Sequence, residues 1–466
     1  MPSHKVIVIG GGPGGYETAI RLNQYGIDCA VIEKERLGGV CLNWGCIPTK
    51  ALVKSAELFR ELSHAPDYGL PEQNPQLDYL RVFERKNAVV EQLVSGVEFL
   101  FRKRGIPVIL EQALSVEKTA AGWSVQTDKG SRLEAEYLVL ATGSVPKALP
   151  GIEIDEKDIL SSTGILKLDR LPQSLAVVGG GVVGCEFASV MNSFGVETRI
   201  VEFLPRILAT EDEEISKRLT PALKKAGIKI TTGAGVQSVK PGTEGLELLL
   251  SDGSSFSVEK MLLSVGRAPQ CLLDWTGASP QQERGAITID GLMRTSLPGV
   301  YAIGDVTGKL PLAHVASQQG LIVAAHIRSL LESKAFDHPS LDYANIPRCT
   351  FTEPEVASVG LTEAEATEKY GSVKVGKFPF SASGKAMAMG STYGFVKTIA
   401  RSSDAALVGM HIIGPNAVEL IAQGAAYLAL GARADVVEKV VFAHPTLSEA
   451  IMESLEDIEN LSIHKI

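Results

Sequence analysis

The chain has 466 residues, too many for one hydrophobic core. Its 45% hydrophobic content, 6% aromatics and 46 glycines describe a many-turned α/β protein of several domains. Lys and Arg number 45 against 54 Asp and Glu, a net charge of −9 with no basic run, so nucleic acid is excluded as an expected partner. No apolar run reaches the ~18–20 residues of a membrane span, and the six cysteines are too sparse for a disulfide scaffold. We therefore expect no membrane association and a cytoplasmic location, where a bridge is more often catalytic than structural.

A strand-like run begins at Lys5, so no targeting segment is expected. Lys5-Val-Ile-Val-Ile9 reads as a buried parallel strand, followed by Gly10-Gly11-Gly12-Pro13-Gly14-Gly15. In that spacing Gly10 makes a tight turn, Gly12 lets backbone approach a pyrophosphate, and Gly15 lets the helix pack closely. A second strand, Cys29–Glu33, ends in an acid able to accept from ribose hydroxyls, which together predicts dinucleotide binding. The stretch Glu35–Lys50 then carries Cys41 and Cys46 between the Gly38-Gly39 turn and Ile47-Pro48, which opens a helical pattern to about Leu62. Pro48 fits the first turn of that helix. Cys46 is expected just ahead of the helix N-terminus, where free N–H groups and the dipole favour a thiolate. Two unpaired core thiols or a structural bridge remain alternatives, although a bridge closing so small a loop removes little chain entropy.

Residues 77–105 read as helix and residues 106–140 as short strands, ending at Leu138–Leu140 before Ala141-Thr142-Gly143. After a crossover near residue 150 the nucleotide pattern repeats. Leu175–Val178 leads into Gly179, Gly181 and Gly184, and Thr198–Glu202 closes on Glu202. Two such units imply two dinucleotides on two Rossmann-type domains. An acid at Glu202 accepts from a free 2′-hydroxyl and repels a 2′-phosphate, favouring NAD over NADP, with Arg199 and Arg206 as the counterweight. Gly299–Asp305 returns the chain to the first nucleotide domain; alternatively Asp305 caps the helix expected near Leu312. From about Ile346 alternating strands, a Thr362–Glu365 capping box and an apolar helix at 417–430 suggest a separate α+β domain for association. Near the end, Glu449 would fix the tautomer of His444 and tune it for proton transfer to and from a thiol. The alternative is a capping box made by Thr446 and Glu449.

The run Gly38-Gly39-Val40-Cys41-Leu42-Asn43-Trp44-Gly45-Cys46-Ile47-Pro48-Thr49-Lys50, both fingerprints, Ala141-Thr142-Gly143, Tyr301–Asp305, and His444-Pro445-Thr446 with Glu449 occur in one order. On these residues the whole chain resembles the FAD-dependent pyridine nucleotide–disulfide oxidoreductases, and within them most closely the lipoamide-oxidising members. The resemblance implies two Rossmann-like dinucleotide-binding domains, for FAD and NAD, plus a C-terminal α+β dimerisation domain. The boundaries expected are FAD domain 1–150, NAD domain 151–275, a central segment 276–343 completing the FAD domain, and interface domain 344–466.

It further implies that FAD lies along Gly10, Gly12 and Gly15 with Glu33 on its ribose and Ala113 and Gly143 nearby. Asp305 would hold the ribityl-pyrophosphate side and Ala313 would approach the ring. Lys50 would reach the flavin and pair with Glu186. NAD would lie on Gly179, Gly181, Gly184 and Glu202, with Gly266 and Arg267 beneath it. The implied reaction is oxidation of protein-bound dihydrolipoamide through a Cys41–Cys46 disulfide, FAD and NAD⁺. Cys41 would be the interchange thiol, Cys46 the thiol facing the flavin, and His444 with Glu449 the base. In this family that base serves the partner subunit, so a homodimer is implied, with the lipoyl domain of a 2-oxo acid dehydrogenase or glycine-cleavage complex as partner. The rival readings are an NAD(P)H-dependent reductase of a small disulfide and a non-catalytic flavoprotein subunit. The chain departs from the family pattern at Trp44, at Phe442, and at Val315 and Ser317–Gln319.

Overall fold

In a computed structural model of the chain, residues 3–242, 245–336 and 340–465 are described. The chain forms two compact units. The first gathers Met1–Leu52, Leu80–Lys147 and Gly266–Leu341. Its sheet is organised on Ser3–Ile9, which pairs in parallel with Cys29–Glu33 on one side and with Arg132–Leu140 on the other. Val300–Ala302 pairs in parallel with Leu138–Leu140, and Val108–Leu110 extends the far edge beyond Cys29–Glu33. These central strands are apolar runs because both faces are covered. Val6, Val8 and Val31 pack with the helices Pro13–Gln24, Tyr79–Arg104 and Ala313–Leu331. Ile7, Ile9 and Ile32 face an antiparallel ribbon that supplies Val116, Trp123, Val125 and Leu133.

The chain is back in this unit earlier than the expected residue 276. Arg267–Pro269 pairs with Ser144–Pro146, and Asp274–Thr276 pairs in parallel with Ser115–Glu117 at the sheet edge. The strand Gly299–Asp305 was expected to return the chain, but these two short pairings have already done so.

The second unit gathers Val53–Tyr79, Ala148–Val265 and Asp342–Ile466. Its five-stranded parallel sheet runs in the order Lys229–Thr232, Glu197–Glu202, Ser174–Val178, Lys260–Leu263, Ile159–Leu160. A three-stranded antiparallel ribbon, Val236–Gly242, Gly245–Leu250 and Ser255–Val258, closes one face through Leu246, Leu248 and Val258. The same unit holds an antiparallel sheet ordered Arg348–Thr350, Glu355–Gly360, Leu407–Gly414, Phe395–Arg401, Val373–Pro379. The helices Ala417–Ala429 and Glu449–Glu456 lay Leu420, Ile421, Ile451 and Leu455 on one face of it. Helix Glu363–Tyr370 starts with both halves of the Thr362–Glu365 capping box in place. A buried Lys397 ties Asp212, the N-cap of helix Glu213–Lys225, to this sheet at 3.0 Å and reaches Glu214 and Glu363 as well. Among the described residues no helix is long and apolar enough to cross a membrane.

Candidate active site

Cys41 lies in a short helix, Gly39–Trp44, and Cys46 is the first residue of the helix Cys46–Ser63 rather than the residue before it. The break between them needs glycine. Gly38 and Gly39 both have positive φ, and Gly45 has no room for a side chain, since a Cβ there would sit 3.0 Å from the Val40 carbonyl. The two thiols are hydrogen-bonded to each other. That bond, burial and the charge on Cys46 push the Cys41 thiol far above its ordinary value, against the opposing pull of the Cys46 N–H and Lys50. Cys46 stands at the positive end of its helix, which favours negative charge there. Both are half-buried free cysteines, within reach of each other for a disulfide.

Beside this loop the first fingerprint does what its spacing predicts. Gly10 turns at φ +107°, and a Cβ on Gly15 would stand 1.9 Å from the Gly10 carbonyl. The helix Pro13–Gln24 begins at Gly12 without a capping side chain, so its first N–H groups remain available to an anion. Nothing but Gly39 Cα comes within 4 Å of a Cβ built on Gly12, and that lies at 3.9 Å. Glu33 is buried at the strand end, where its carboxylate accepts from the Gly11 N–H at 2.7 Å and the Glu35 N–H at 2.8 Å. An uncapped helix start facing open space, with an acid at the neighbouring strand end, fits a dinucleotide.

The second fingerprint repeats this geometry almost atom for atom. Gly179 also turns at φ +107°, and a Cβ on Gly184 would stand 1.9 Å from the Gly179 carbonyl. Gly181 opens the helix Val182–Ser193 without a cap and has nothing within 4 Å of its Cβ position. Glu202 accepts from the Gly180 N–H at 2.5 Å and the Leu204 N–H at 2.7 Å. The two arginines that weigh against NAD are occupied. Arg206 donates to the carbonyls of Glu211 and Ala209 and to Ser216 Oγ, and Arg199 stacks on Phe256 at 4.1 Å. Arg206 thus has its Nη1 and Nη2 engaged within the loop, while Arg199 lies over an aromatic face.

Asp305 does not cap the long helix. That helix, Ala313–Leu331, has Leu312 as N-cap with no side-chain hydrogen bond, while Asp305 sits in a 3₁₀ turn, Gly304–Thr307. Its carboxylate instead receives Ser144 Oγ and faces Arg267, 3.9 Å away. Arg267 Nε donates to Ser144 Oγ at 2.7 Å and Nη2 to the Ser144 carbonyl at 2.6 Å. Arg267 thus belongs to the unit of the first fingerprint. Burial lowers its proton affinity, and the charges of Asp305 and Cys46 hold it up. Sequence reasoning missed Ser144 as the hub of this group; its only signal was its place after the Gly143 turn. Gly143, at φ +74°, and Ala113, at the start of the strand Ala113–Thr119, lie in this unit, as do Lys50 on the Cys46 helix and Ala313. Gly266 passes its carbonyl to the Lys147 N–H.

In the second unit Glu186 is buried on the helix Val182–Ser193 and accepts from the Phe351 N–H at 3.0 Å. His444 Nδ1 meets Glu449 Oε1 at 2.8 Å, and the imidazole is otherwise 79% exposed. The capping-box alternative is half met. Glu449 Oε2 takes the Thr446 N–H, but Thr446 Oγ1 turns back to the Ala443 carbonyl, and the helix starts at Glu449 itself with Ser448 as N-cap. Burial would raise the Glu449 carboxyl, but the Thr446 N–H and His444 outweigh it and keep it below the usual carboxylate range.

Sequence and structure comparisons agree with this geometry. The pyridine nucleotide-disulphide oxidoreductase family matches residues 4–320 and its dimerisation domain residues 346–455. Dihydrolipoyl dehydrogenase of Bacillus subtilis is 40% identical, covering 99% of this chain and 99% of its own. That of Zymomonas mobilis is also 40% identical over 98% of each. Among solved structures, LpdA from Mycobacterium tuberculosis superposes with a TM-score of 0.87 at 26% identity, covering 97% of this chain and 99% of its own. The HOCl-induced flavoprotein disulfide reductase RclA from Escherichia coli gives 0.86 at 27% identity over 97% and 99%. The chain belongs to the pyridine nucleotide-disulphide oxidoreductase family, with that family's FAD and NAD as cofactors and its C-terminal dimerisation domain.

Proposed function

We propose that the chain is a dihydrolipoyl dehydrogenase, oxidising protein-bound dihydrolipoamide to lipoamide with NAD⁺ as electron acceptor. The observation that carries the reading is the hydrogen-bonded Cys41–Cys46 pair at a helix start, in the unit of the first uncapped fingerprint. Gly10, Gly12, Gly15 and Glu33 would hold FAD, with Gly143, Ala113, Asp305, Ala313 and Lys50 around it. Gly179, Gly181, Gly184 and Glu202 would hold NAD. FAD supplies a two-electron carrier between the dithiol and the nicotinamide.

The chain's own residues do the remaining work. Glu449 fixes Nδ1 of His444, leaving Nε2 to take a proton from the substrate dithiol. The substrate thiolate attacks Cys41 Sγ, the Cys41–Cys46 bond breaks, and Cys46 leaves as a thiolate. The second substrate thiol then displaces Cys41 and gives it its proton, while the first proton stays on His444, so lipoamide departs and the enzyme pair carries one thiol and one thiolate. His444 serves the cysteines of the partner subunit, and a homodimer is the working form. The lipoyl arm comes from a lipoyl domain of a 2-oxo acid dehydrogenase or glycine-cleavage complex, and the compartment is the cytoplasm.

Turnover of dihydrolipoamide with NAD⁺, set against reduction of glutathione disulfide with NADH and NADPH, tests the reading. His444→Gln should lose at least about a hundredfold in lipoamide turnover with its flavin retained. Preferred reduction of the glutathione disulfide would replace this reading with that of a small-disulfide reductase.

A further inference from the structure

In the second unit a loop at residues 203–211 leads from the strand Glu197–Glu202 to the helix Glu213–Lys225. The loop touches the second fingerprint at its turn. The Leu208 N–H donates to the Gly180 carbonyl at 2.8 Å, and Ile207 Cγ2 lies 2.8 Å from where a Cβ on Gly180 would stand. The Gly180 N–H is held from the other side by Glu202, at 2.5 Å. Leu208 makes its bond from φ +44°, a left-handed conformation that is costly for leucine, and its side chain is buried. A strained turn of this kind persists where its surroundings fix it. Inside the loop, Arg206 binds the carbonyls of Ala209 and Glu211, and Ser216 Oγ donates to the Ile207 carbonyl at 2.7 Å. The outer anchor is Glu211. Its buried carboxylate accepts from Ser358 Oγ and meets Arg348 Nε at 3.2 Å, and both partners belong to the C-terminal sheet.

Resting on the reading of Gly179, Gly181, Gly184 and Glu202 as the NAD site, we propose that Glu211 is a positioning residue for that site: tied to Ser358 and Arg348, it holds the strained Leu208 turn against Gly180. The contacts form one unbroken series. Ser358 and Arg348 hold the Glu211 carboxylate, the Glu211 N–H donates to the Leu208 carbonyl at 2.9 Å, and the Leu208 N–H donates to the Gly180 carbonyl. With the carboxylate removed, Leu208 is free to leave its left-handed conformation, and the fingerprint turn loses a fixed partner. NAD⁺ must then order that turn as it binds, which weakens its apparent affinity by the fraction of molecules already in the binding arrangement. The helix Glu213–Lys225 stays docked in such a variant, because Asp212 keeps its own bond to Lys397 at 3.0 Å. The loop is released without releasing the helix.

The test measures NAD⁺ binding to the oxidised, flavin-loaded dimer by isothermal titration calorimetry, with Gly181→Ala as the marker of the site itself. Glu211→Ala should raise the Kd for NAD⁺ about tenfold, while kcat with dihydrolipoamide at saturating NAD⁺ stays within about twofold of the parent. Ser358→Ala, which removes one of the two partners, should raise the Kd about threefold. Glu211→Gln, which keeps an acceptor for Ser358, should return it to within about twofold of the parent. Leu420→Ala opens a cavity under the same sheet and removes none of these bonds, so it should lower the Tm and leave the Kd unmoved. Should Glu211→Ala yield no folded protein, Ser358→Ala decides alone. An unmoved Kd in the Glu211 and Ser358 variants, with Gly181→Ala weakened, overturns the assignment. So does a rise in Leu420→Ala as large as that in Glu211→Ala, which would make the effect a general loosening of the unit. An unmoved Kd in Gly181→Ala overturns the reading of the NAD site, and the assignment with it.

Discussion

Gly181 and Gly184 stand in the same fingerprint, yet the space around them differs, and so should the cost of a methyl group. A Cβ on Gly184 would stand 1.9 Å from the Gly179 carbonyl and 2.7 Å from Ser264 Oγ, whereas one on Gly181 meets nothing within 4 Å. Gly181→Ala should therefore fold and keep its flavin while raising the KM for NAD⁺ roughly tenfold, because the new methyl occupies space that a pyrophosphate would enter. Gly184→Ala should lose soluble protein or stability instead. Equal NAD⁺ kinetics in parent and Gly181→Ala, measured with dihydrolipoamide saturating, would remove the pyrophosphate from that helix start. The paired glycines show why the fingerprint is not one requirement repeated: the last glycine is fixed by packing, and the middle one by the ligand.

At the scale of single elements, the helix Ala417–Ala429 begins beside a half-buried acid. Glu355 Oε2 accepts from the Val418 N–H at 3.2 Å, but Glu353, Glu57 and Glu419 are close by. Burial first, then these acids, raise its pKa from an ordinary 4.5 to about 7. A carboxyl raised on folding disfavours its ionised form, so its contribution is full below 4.5 and is lost as the pH rises through 7. Glu355→Gln keeps an acceptor for Val418 without the charge. Its Tm should converge with the parent's near pH 4.5 and exceed it by about 2–4 °C at pH 8. An offset independent of pH in differential scanning calorimetry would show that packing, not ionisation, governs this helix start. The acidic surroundings were invisible in sequence because Glu57, Glu355 and Glu419 come from three separate elements.

The largest-scale consequences concern the second unit and the dimer. Lys397 is 1% exposed and neutralises Asp212, Glu214 and Glu363, so one side chain of the C-terminal sheet holds together carboxylates from two helices. Lys397→Met removes the cation and leaves Asp212 buried, which should cost about 3–5 kcal/mol. Denaturant unfolding reads that directly, and a loss below about 1 kcal/mol would mean the cluster contributes little cohesion. The exposed His444 bears on the dimer. If it serves the partner's cysteines, a heterodimer of Cys46→Ser and His444→Gln subunits has one complete site. If each subunit serves its own, the same heterodimer has none. Mixing the two inactive homodimers under subunit exchange should therefore restore activity, up to one site per heterodimer, and failure to do so despite exchange would exclude the in-trans arrangement.

Much of this molecule follows from short-range pattern. The strand, glycine turn, helix and terminal acid recur at Lys5–Glu33 and Leu175–Glu202 because each job is local: a turn, a close packing and a strand end that faces the turn. The cysteine loop is legible for the same reason, since Gly38, Gly39, Gly45 and Pro48 state its backbone without help from elsewhere. Tertiary structure alone decided what lies far apart in the chain. It occupied Arg199 and Arg206, brought Arg267 to Ser144 and Asp305, and returned the chain to the first unit by Arg267. Side-chain hydrogen bonds and charges choose partners by distance in space, and nothing in the local spacing of residues encodes that distance.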